Sequence, residues 1–350
     1  MQIASIGRAL PEHRYDQARL IEAIGEYWQS HHHNTARLQQ LHAAVRVGTR
    51  HTALPMERYE GLTFAGANQA FIEVGVDLGE AAISQALQAA DLRPEDVDII
   101  FTTTVTGIAT PSLDARLCNR LGFRTDIKRV PLFGLGCVAG AAGIARAADY
   151  LKGHPGEVAL LLSVELCSLT MQRTDASIAN LIATGLFGDG AACVVAVGRD
   201  RAQPEGGPRV LASRSRFYPD TERVMGWDIT DTGMQIVLAA SVPAMVHKHI
   251  REDVDGFLTD HGYSRAEIGS WVCHPGGPKV LEAMQEALDI KREDLDVTWR
   301  SLDAVGNLSS ASVLFVLGDT LAEHRPAPGT LGMLLAMGPG FCSELVLLQW

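Results

Sequence analysis

Short apolar runs punctuate the chain at intervals. VDIIFTTT (97–104), EVALLLSV (157–164) and ACVVAVG (192–198) occupy the first part, and SWVCH (270–274), TLGMLLAM (330–337) and ELVLLQW (344–350) the last. Each is too short for a helix, rich in branched residues and bounded by Gly, Pro or charge, which is the pattern of a buried strand. Longer stretches of small and apolar residues lie between them, such as VAGAAGIARAADYL (138–151) and LSSASVLFVLGDTL (308–321), and read as helices. Strands alternating with helices define an α/β protein.

The pattern also repeats. The stretch 86–108, ALQAADLRPEDVDIIFTTTVTGI, reads as helix end, turn and strand, and 257–277, FLTDHGYSRAEIGSWVCHPGG, follows the same order. Gly136–Cys137 opens one helical run followed by a strand, and Gly306–Asn307 opens another. Both matches share an offset of roughly 170 residues, the mark of an internal duplication. The stretch 198–212, rich in Gly, Pro and charge, reads as the connection. Two α/β halves are therefore expected, 1–200 carrying Cys137 and 201–350 carrying His274 and Asn307. Under a pseudo-twofold axis Cys137 and Asn307 would occupy equivalent helix starts and approach one another, with His274 joining from a strand end.

Composition narrows the functional classes. The 350 residues include 30 basic and 41 acidic side chains, a formal net charge of −11, which disfavours a nucleic-acid partner. The first residues show no basic segment followed by an apolar stretch, and no run approaches the length of a membrane-spanning helix. A cytoplasmic protein is expected. The six cysteines form no C-x-x-C pair, so reduced thiols are expected. His31–His33 lack the spacing of a metal-binding helix and read as a solvated face, so no metal site is expected.

The chemistry concentrates at three positions. Cys137, in FGLGCVAGAAG, sits at a glycine-flanked helix start, where unpaired N–H groups and the helix dipole favour thiolate over thiol. An isolated cysteine is ordinarily a buried small hydrophobe. The near-match Gly134-x-Gly136-x-x-Ala139 to a dinucleotide loop leaves a Cys side chain without a role. His274, in WVCHPGGPKVLEAM, is held at a strand end, and Asn307, in DAVGNLSSASVLF, could serve as a helix cap. Each alone has a structural reading, but together they make a nucleophile with two polar partners. Papain-like hydrolases also order Cys, His and Asn in this way, but with Trp beside a cysteine near the mature N-terminus, where this chain has Val138.

At these residues the sequence resembles the chalcone synthase-like family, the type III polyketide synthases on the thiolase fold. The motifs are Gly136–Cys137, His274–Pro278 (HPGGP), Gly306–Ala311 (GNLSSA), Gly338–Gly340 (GPG) and Leu186–Ala192 (LFGDGAA), in the family's order along essentially the whole chain. Synthases of the ketoacyl-carrier-protein III type share the three residues but usually carry His-Gln-Ala-Asn where HPGG stands here; a single condensation of that type is the alternative. The segment 165–170 (ELCSLT) is similar to bacterial members.

The resemblance implies a five-layered αβαβα arrangement and a homodimer. It implies that Cys137 takes up an acyl-CoA starter, and that His274 and Asn307 stabilise the enolate formed when malonyl-CoA loses carbon dioxide, with backbone N–H groups near Cys137 and at Gly338–Phe341 as the oxyanion site. No metal or cofactor is implied, because the CoA thioesters are substrates. Substrate contacts are implied for Phe187, Thr170, Cys167, Ile236, Ser309, Met337, Gly338, Pro339 and Gly340, and CoA-phosphate contacts for Arg37, Arg46 and Arg50. Two departures stand out: Ala336–Met337 replaces the plant family's Gly-Phe, and Ile236 replaces a cavity phenylalanine. They point either to a cavity admitting a long aliphatic starter or to simple repacking.

Overall fold

The computed structural model describes residues 1–29, 35–203 and 206–350, so His31–His33 lie outside the described residues. The first half runs β1 (Gln2–Ala9), β2 (His13–Asp16), α1 (Gln17–Gln29), α2 (Thr35–Ala44), β3 (Thr49–Thr52), α3 (Phe64–Ala89), β4 (Ile99–Thr104), α4 (Leu113–Leu121), β5 (Lys128–Phe133), α5 (Ala139–Gly153), β6 (Val158–Leu166), α6 (Ile178–Leu186) and β7 (Asp189–Val197). The second runs β8 (Arg209–Phe217), β9 (Met225–Thr230), β10 (Gly233–Leu238), α7 (Val242–Asp260), β11 (Ile268–Cys273), α8 (Pro278–Leu288), α9 (Asp296–Val305), α10 (Ser312–Glu323), β12 (Leu331–Gly338) and β13 (Cys342–Gln349).

The strands lie in the order β11-β12-β13-β8-β1-β7-β6-β4-β5. From the centre outward, β1–β7 and β7–β6 are antiparallel and β6–β4 parallel. The sequence β8–β13, β13–β12, β12–β11 repeats those directions strand for strand. The two sets meet where β1 touches β8 at Gln2 and Arg209. The first set has one further strand, β5, parallel to β4 at the sheet edge.

Strands β6, β7 and β12 are buried on both faces, which is why the sequence shows continuous apolar runs there. In β6, Val158, Leu160, Leu162, Val164 and Leu166 face α3, whereas Ala159 and Leu161 face α5. In β12, Met333, Leu335 and Met337 face α7 and α8, whereas Leu334 and Ala336 face inward. Helices α5 and α10 touch strands of both sets and form the middle layer. The layers are thus α3, sheet, α5 with α10, sheet, α7 with α8: the thiolase fold.

The small residues of α5 permit this closeness. A Cβ on Gly140 would lie 2.3 Å from the carbonyl oxygen of Ser310 at the start of α10. The halves differ after their third strand. β12 and β13 are joined by Pro339–Phe341 alone, whereas β6 and β7 are separated by a 3₁₀ turn at Cys167–Thr170 and by α6. The β9–β10 hairpin packs on α6 from the other half.

Candidate active site

Cys137 lies in a 3₁₀ turn, Gly136–Val138, that runs directly into α5. Its structural counterpart is the turn Ser309–Ala311 leading into α10. The residue equivalent to Cys137 is therefore Ser310, not Asn307, which lies just before that turn. The expected equivalence was misplaced by a few residues, because the offset changes along the repeat. Convergence nevertheless holds, since both turns face one another across the middle layer. The Cys137 thiol donates to Ser309 Oγ at 3.8 Å.

Asn307 is held by its backbone and its side-chain oxygen. Its N–H donates to Leu186 O at 2.9 Å, and its carbonyl accepts from Gly188 N at 3.0 Å. Its Oδ1 accepts from Ser309 N at 2.8 Å and from Ser312 Oγ at 3.5 Å. With the oxygen so occupied, the amide NH₂ is the end free to donate, and a hydrogen bond from this side chain draws the Cys137 thiol pKa downward. Ser309 adopts φ 49°, an uncommon conformation for a residue with a side chain.

His274 follows β11, and its N–H donates to Leu335 O of β12 at 2.9 Å. Three residues further along β12, Gly338 packs onto the Cys137 turn so tightly that a Cβ there would lie 2.6 Å from Val138 N. Neither ring nitrogen of His274 has a protein partner. Burial lowers its pKa to about 3, so the ring is neutral in the physiological range.

Cys137 departs from expectation. Its thiol is pushed up to about 12, first by burial and also by the Glu165 carboxyl, with Ser309 and Asn307 acting the other way. No cation offsets the burial. The resting side chain is therefore a thiol.

Glu165 escaped the sequence reading, although a carboxyl inside the apolar run of β6 was its visible signal. It is fully buried and accepts from Val105 N at 3.1 Å, from Thr106 Oγ1 at 2.9 Å and from Ser310 Oγ. Ser163 Oγ and Ser310 Oγ lie 2.7 Å apart.

Four anticipated substrate contacts, Cys167, Thr170, Phe187 and Ile236, line one small cavity. Asn180, Thr184 and Trp227 complete its wall, and nothing in the sequence marked them. Trp227 stands opposite Ile236 in the β9–β10 hairpin. Met337 points away, into the core under α7 and α8, as the strand alternation requires. Pro339 packs against the Cys137 turn, and Gly340 lies near Phe217. The N–H of Phe341 donates to Thr221 Oγ1 at 2.7 Å and is thus not a free oxyanion donor.

The basic residues divide. Arg37 is exposed on α2. Arg46 is exposed, pairs with Glu282 at 3.3 Å and lies over the Trp299 ring. Arg50 does not fit a phosphate contact at the surface, because it is buried and donates inward to Gln17 and Phe187. Among the described residues no cluster of His, Cys, Asp and Glu suits a metal, and no helix is long and apolar enough to cross a membrane.

A thiolase fold in which a cysteine and an oriented carboxamide meet from separate segments, with a buried neutral histidine at the end of β11, is the frame of a carbon–carbon condensing acyltransferase. The family model for the N-terminal domain of chalcone and stilbene synthases matches residues 1–201, and that for the C-terminal domain matches 209–350. The chain belongs to this family and is a type III polyketide synthase. It is 54% identical to 1,3,6,8-tetrahydroxynaphthalene synthase of Streptomyces peucetius subsp. caesius, over 99% of this chain and 93% of the relative. It is 36% identical to a putative chalcone synthase of Bacillus subtilis (strain 168), over 99% and 98%. The crystal structure of 1,3,6,8-tetrahydroxynaphthalene synthase from Streptomyces coelicolor A3(2), described as a bacterial type III polyketide synthase, superposes with a TM-score of 0.94 at 30% identity, covering 100% and 99%.

Proposed function

We propose that the chain condenses malonyl-CoA units into a small polyhydroxylated aromatic product, as the name of its Streptomyces peucetius relative indicates for that protein. The arrangement around Cys137 carries this reading. Cys137 attacks the starter thioester, its proton passes to the His274 imidazole and from there to the departing sulfur, and CoA leaves as the thiol with the ring neutral again. A malonyl-CoA then loses carbon dioxide, and the electrons of the broken bond fill an enolate. Its oxygen accepts from the Asn307 amide and from a neutral His274 N–H, a pair that stabilises the charge without competing for it. The enolate carbon attacks the Cys137 acyl group and releases the sulfur, and the cycle repeats until ring closure. These steps balance with protein groups and CoA thioesters alone, so no metal or redox cofactor is invoked.

The modest cavity, walled by Trp227 and interspersed with Asn180, Thr170 and Thr184, favours short polar intermediates over a long aliphatic starter. A naphthalene product needs only two-carbon units, so malonyl-CoA would serve as both starter and extender. Action in the cytoplasm agrees with CoA substrates and with six free thiols. A homodimer is supported at the free edge of β5, where the large apolar side chain of Phe133 is 57% exposed.

Incubation with malonyl-CoA alone, and with a panel of acyl-CoA starters, tests the reading by mass spectrometry. Aromatic product from malonyl-CoA alone is expected, with none from Cys137→Ala. Absence of chain growth across the panel would overturn it. Light scattering on the eluting protein reads the dimer.

A further inference from the structure

Arg50 is an expensive residue in an unusual place. It is only 5% exposed, and one guanidinium nitrogen, Nη2, has no protein partner. An apolar side chain of similar volume commonly serves stability as well as a buried cation does or better, so its contacts should show what it is for.

Those contacts lead to Asn307. Along the edge of β3, three successive residues engage the end of α9 and the loop after it. Gly48 N donates to Asp303 O at 2.8 Å, and Thr49 Oγ1 to Ala304 O at 2.5 Å. The stem of Arg50 lies under Gly306, where a Cβ would sit 3.2 Å from Arg50 Cδ and 2.7 Å from Leu186 O. Gly306 also takes φ 74°, which disfavours a side chain there. The Arg50 head completes the clamp: Nη1 donates to Phe187 O at 2.7 Å and Nε to Gln17 Oε1 at 3.1 Å, while Gln17 donates to Gly185 O at 2.9 Å. The segment so held is the one whose Leu186 carbonyl and Gly188 N–H bracket the Asn307 peptide.

The counter-charge extends the device to the opposite cavity wall. Asp189, fully buried, is the leading charge that sustains the Arg50 cation. Its carboxylate accepts from Ala53 N at 2.6 Å, from Ser168 N at 2.8 Å and from Ser168 Oγ, which fixes the Cys167–Thr170 turn.

We infer that Arg50 is a positioning residue for the Asn307 carboxamide, acting through the Phe187 carbonyl and the Gly306 backbone. The inference rests on the enolate role proposed for Asn307 and deepens it. Only a rigid planar fork satisfies Gln17 and Phe187 together; a lysine ammonium keeps the charge opposite Asp189 but serves one of them at best.

The test uses the full chain in a Cys137→Ala background, where chain extension stops and conversion of malonyl-CoA to acetyl-CoA reports enolate formation. Arg50→Lys and Arg50→Met are compared with the parent, and acylation of Cys137 by an acyl-CoA is measured separately by intact mass in the Cys137-containing enzymes. The expected result is a decarboxylation rate about 10- to 100-fold lower, with acylation within about twofold of wild type, since a misplacement near 1 Å costs on the order of 10² in rate. Unchanged decarboxylation in folded variants would overturn the inference, and so would equal loss of both activities. Failure of both variants to fold would overturn it too, since the cation would then hold the fold and not aim a side chain. Asn307→Ala in the same background separates the two layers. If it decarboxylates normally, the role of Asn307 falls; if it fails while Arg50→Lys does not, the positioning role falls alone.

Discussion

Replacing Gly140 by alanine probes the contact on which the site depends. The added Cβ would lie 2.3 Å from Ser310 O and 2.7 Å from Val313 Cγ1. The oxygen belongs to the backbone at the start of α10, so no side-chain rotation relieves the clash. Normal contact requires a separation larger by ~1 Å, and that shift must be taken up between α5, which the Cys137 turn leads into, and the turn that carries Ser309. Overpacking of this kind costs ~1–3 kcal/mol, and a collision with fixed backbone belongs near the upper end. The gain in helix propensity returns about 1 kcal/mol, leaving a net loss of about 2 kcal/mol. A denaturant titration reads that loss as a lower midpoint at unchanged slope. Because a displacement near 1 Å can cost on the order of 10² in rate, condensation should fall further than the folded fraction does. Gly153→Ala, at the open end of the same helix with nothing within 4 Å of the added carbon, is the control and should match wild type or exceed it slightly. If Gly140→Ala kept both the midpoint and the rate of wild type, the two central helices would not meet where the structure places them.

Further consequences concern protons. His274 and His42 are lowered from 6.5 to about 3 and about 4, both chiefly by burial, so between pH 6.5 and those values the unfolded chain binds more protons than the native one. Stability should fall as pH drops through that window, and His42→Gln should make the decline shallower in acid titrations followed by circular dichroism. Because His274 stays neutral, malonyl-CoA decarboxylation should show no inflection near pH 6.5; a step there would refute the assignment. Glu165→Gln removes the negative charge that raises the Cys137 thiol, so alkylation of that thiol by iodoacetamide should set in at lower pH. An unchanged profile would mean the Glu165 carboxyl is already protonated.

Much of the framework could be read directly from local pattern. Strands such as β6 and β12 are apolar throughout because both faces are covered, and the repetition of strand, helix and strand exposed the duplication. What remained hidden depends on three-dimensional neighbours. The matching of Cys137 with Asn307 failed because the offset changes along the repeat, from 169 residues at β4 and β11 to 173 at α5 and α10, so the true counterpart is Ser310. The thiol was expected to be acidic from its helix start, but burial and the Glu165 carboxyl outweigh that local effect. Arg50 was expected at the CoA phosphates from the family resemblance, and only its partners Gln17 and Phe187 and the charge of Asp189, all distant in sequence, account for its burial. Trp227 reaches the cavity through a hairpin whose sequence carries no sign of where it docks.

The long excursion between β6 and β7, against the three-residue bend between β12 and β13, separates two jobs. The reacting groups stand mainly on the shared frame, whereas much of the chamber lining comes from a detour that the sister repeat does without. Remodelling that detour can alter which intermediates fit while leaving the strand registers untouched. New product outcomes can therefore arise by local edits, without the molecule having to solve its folding problem again.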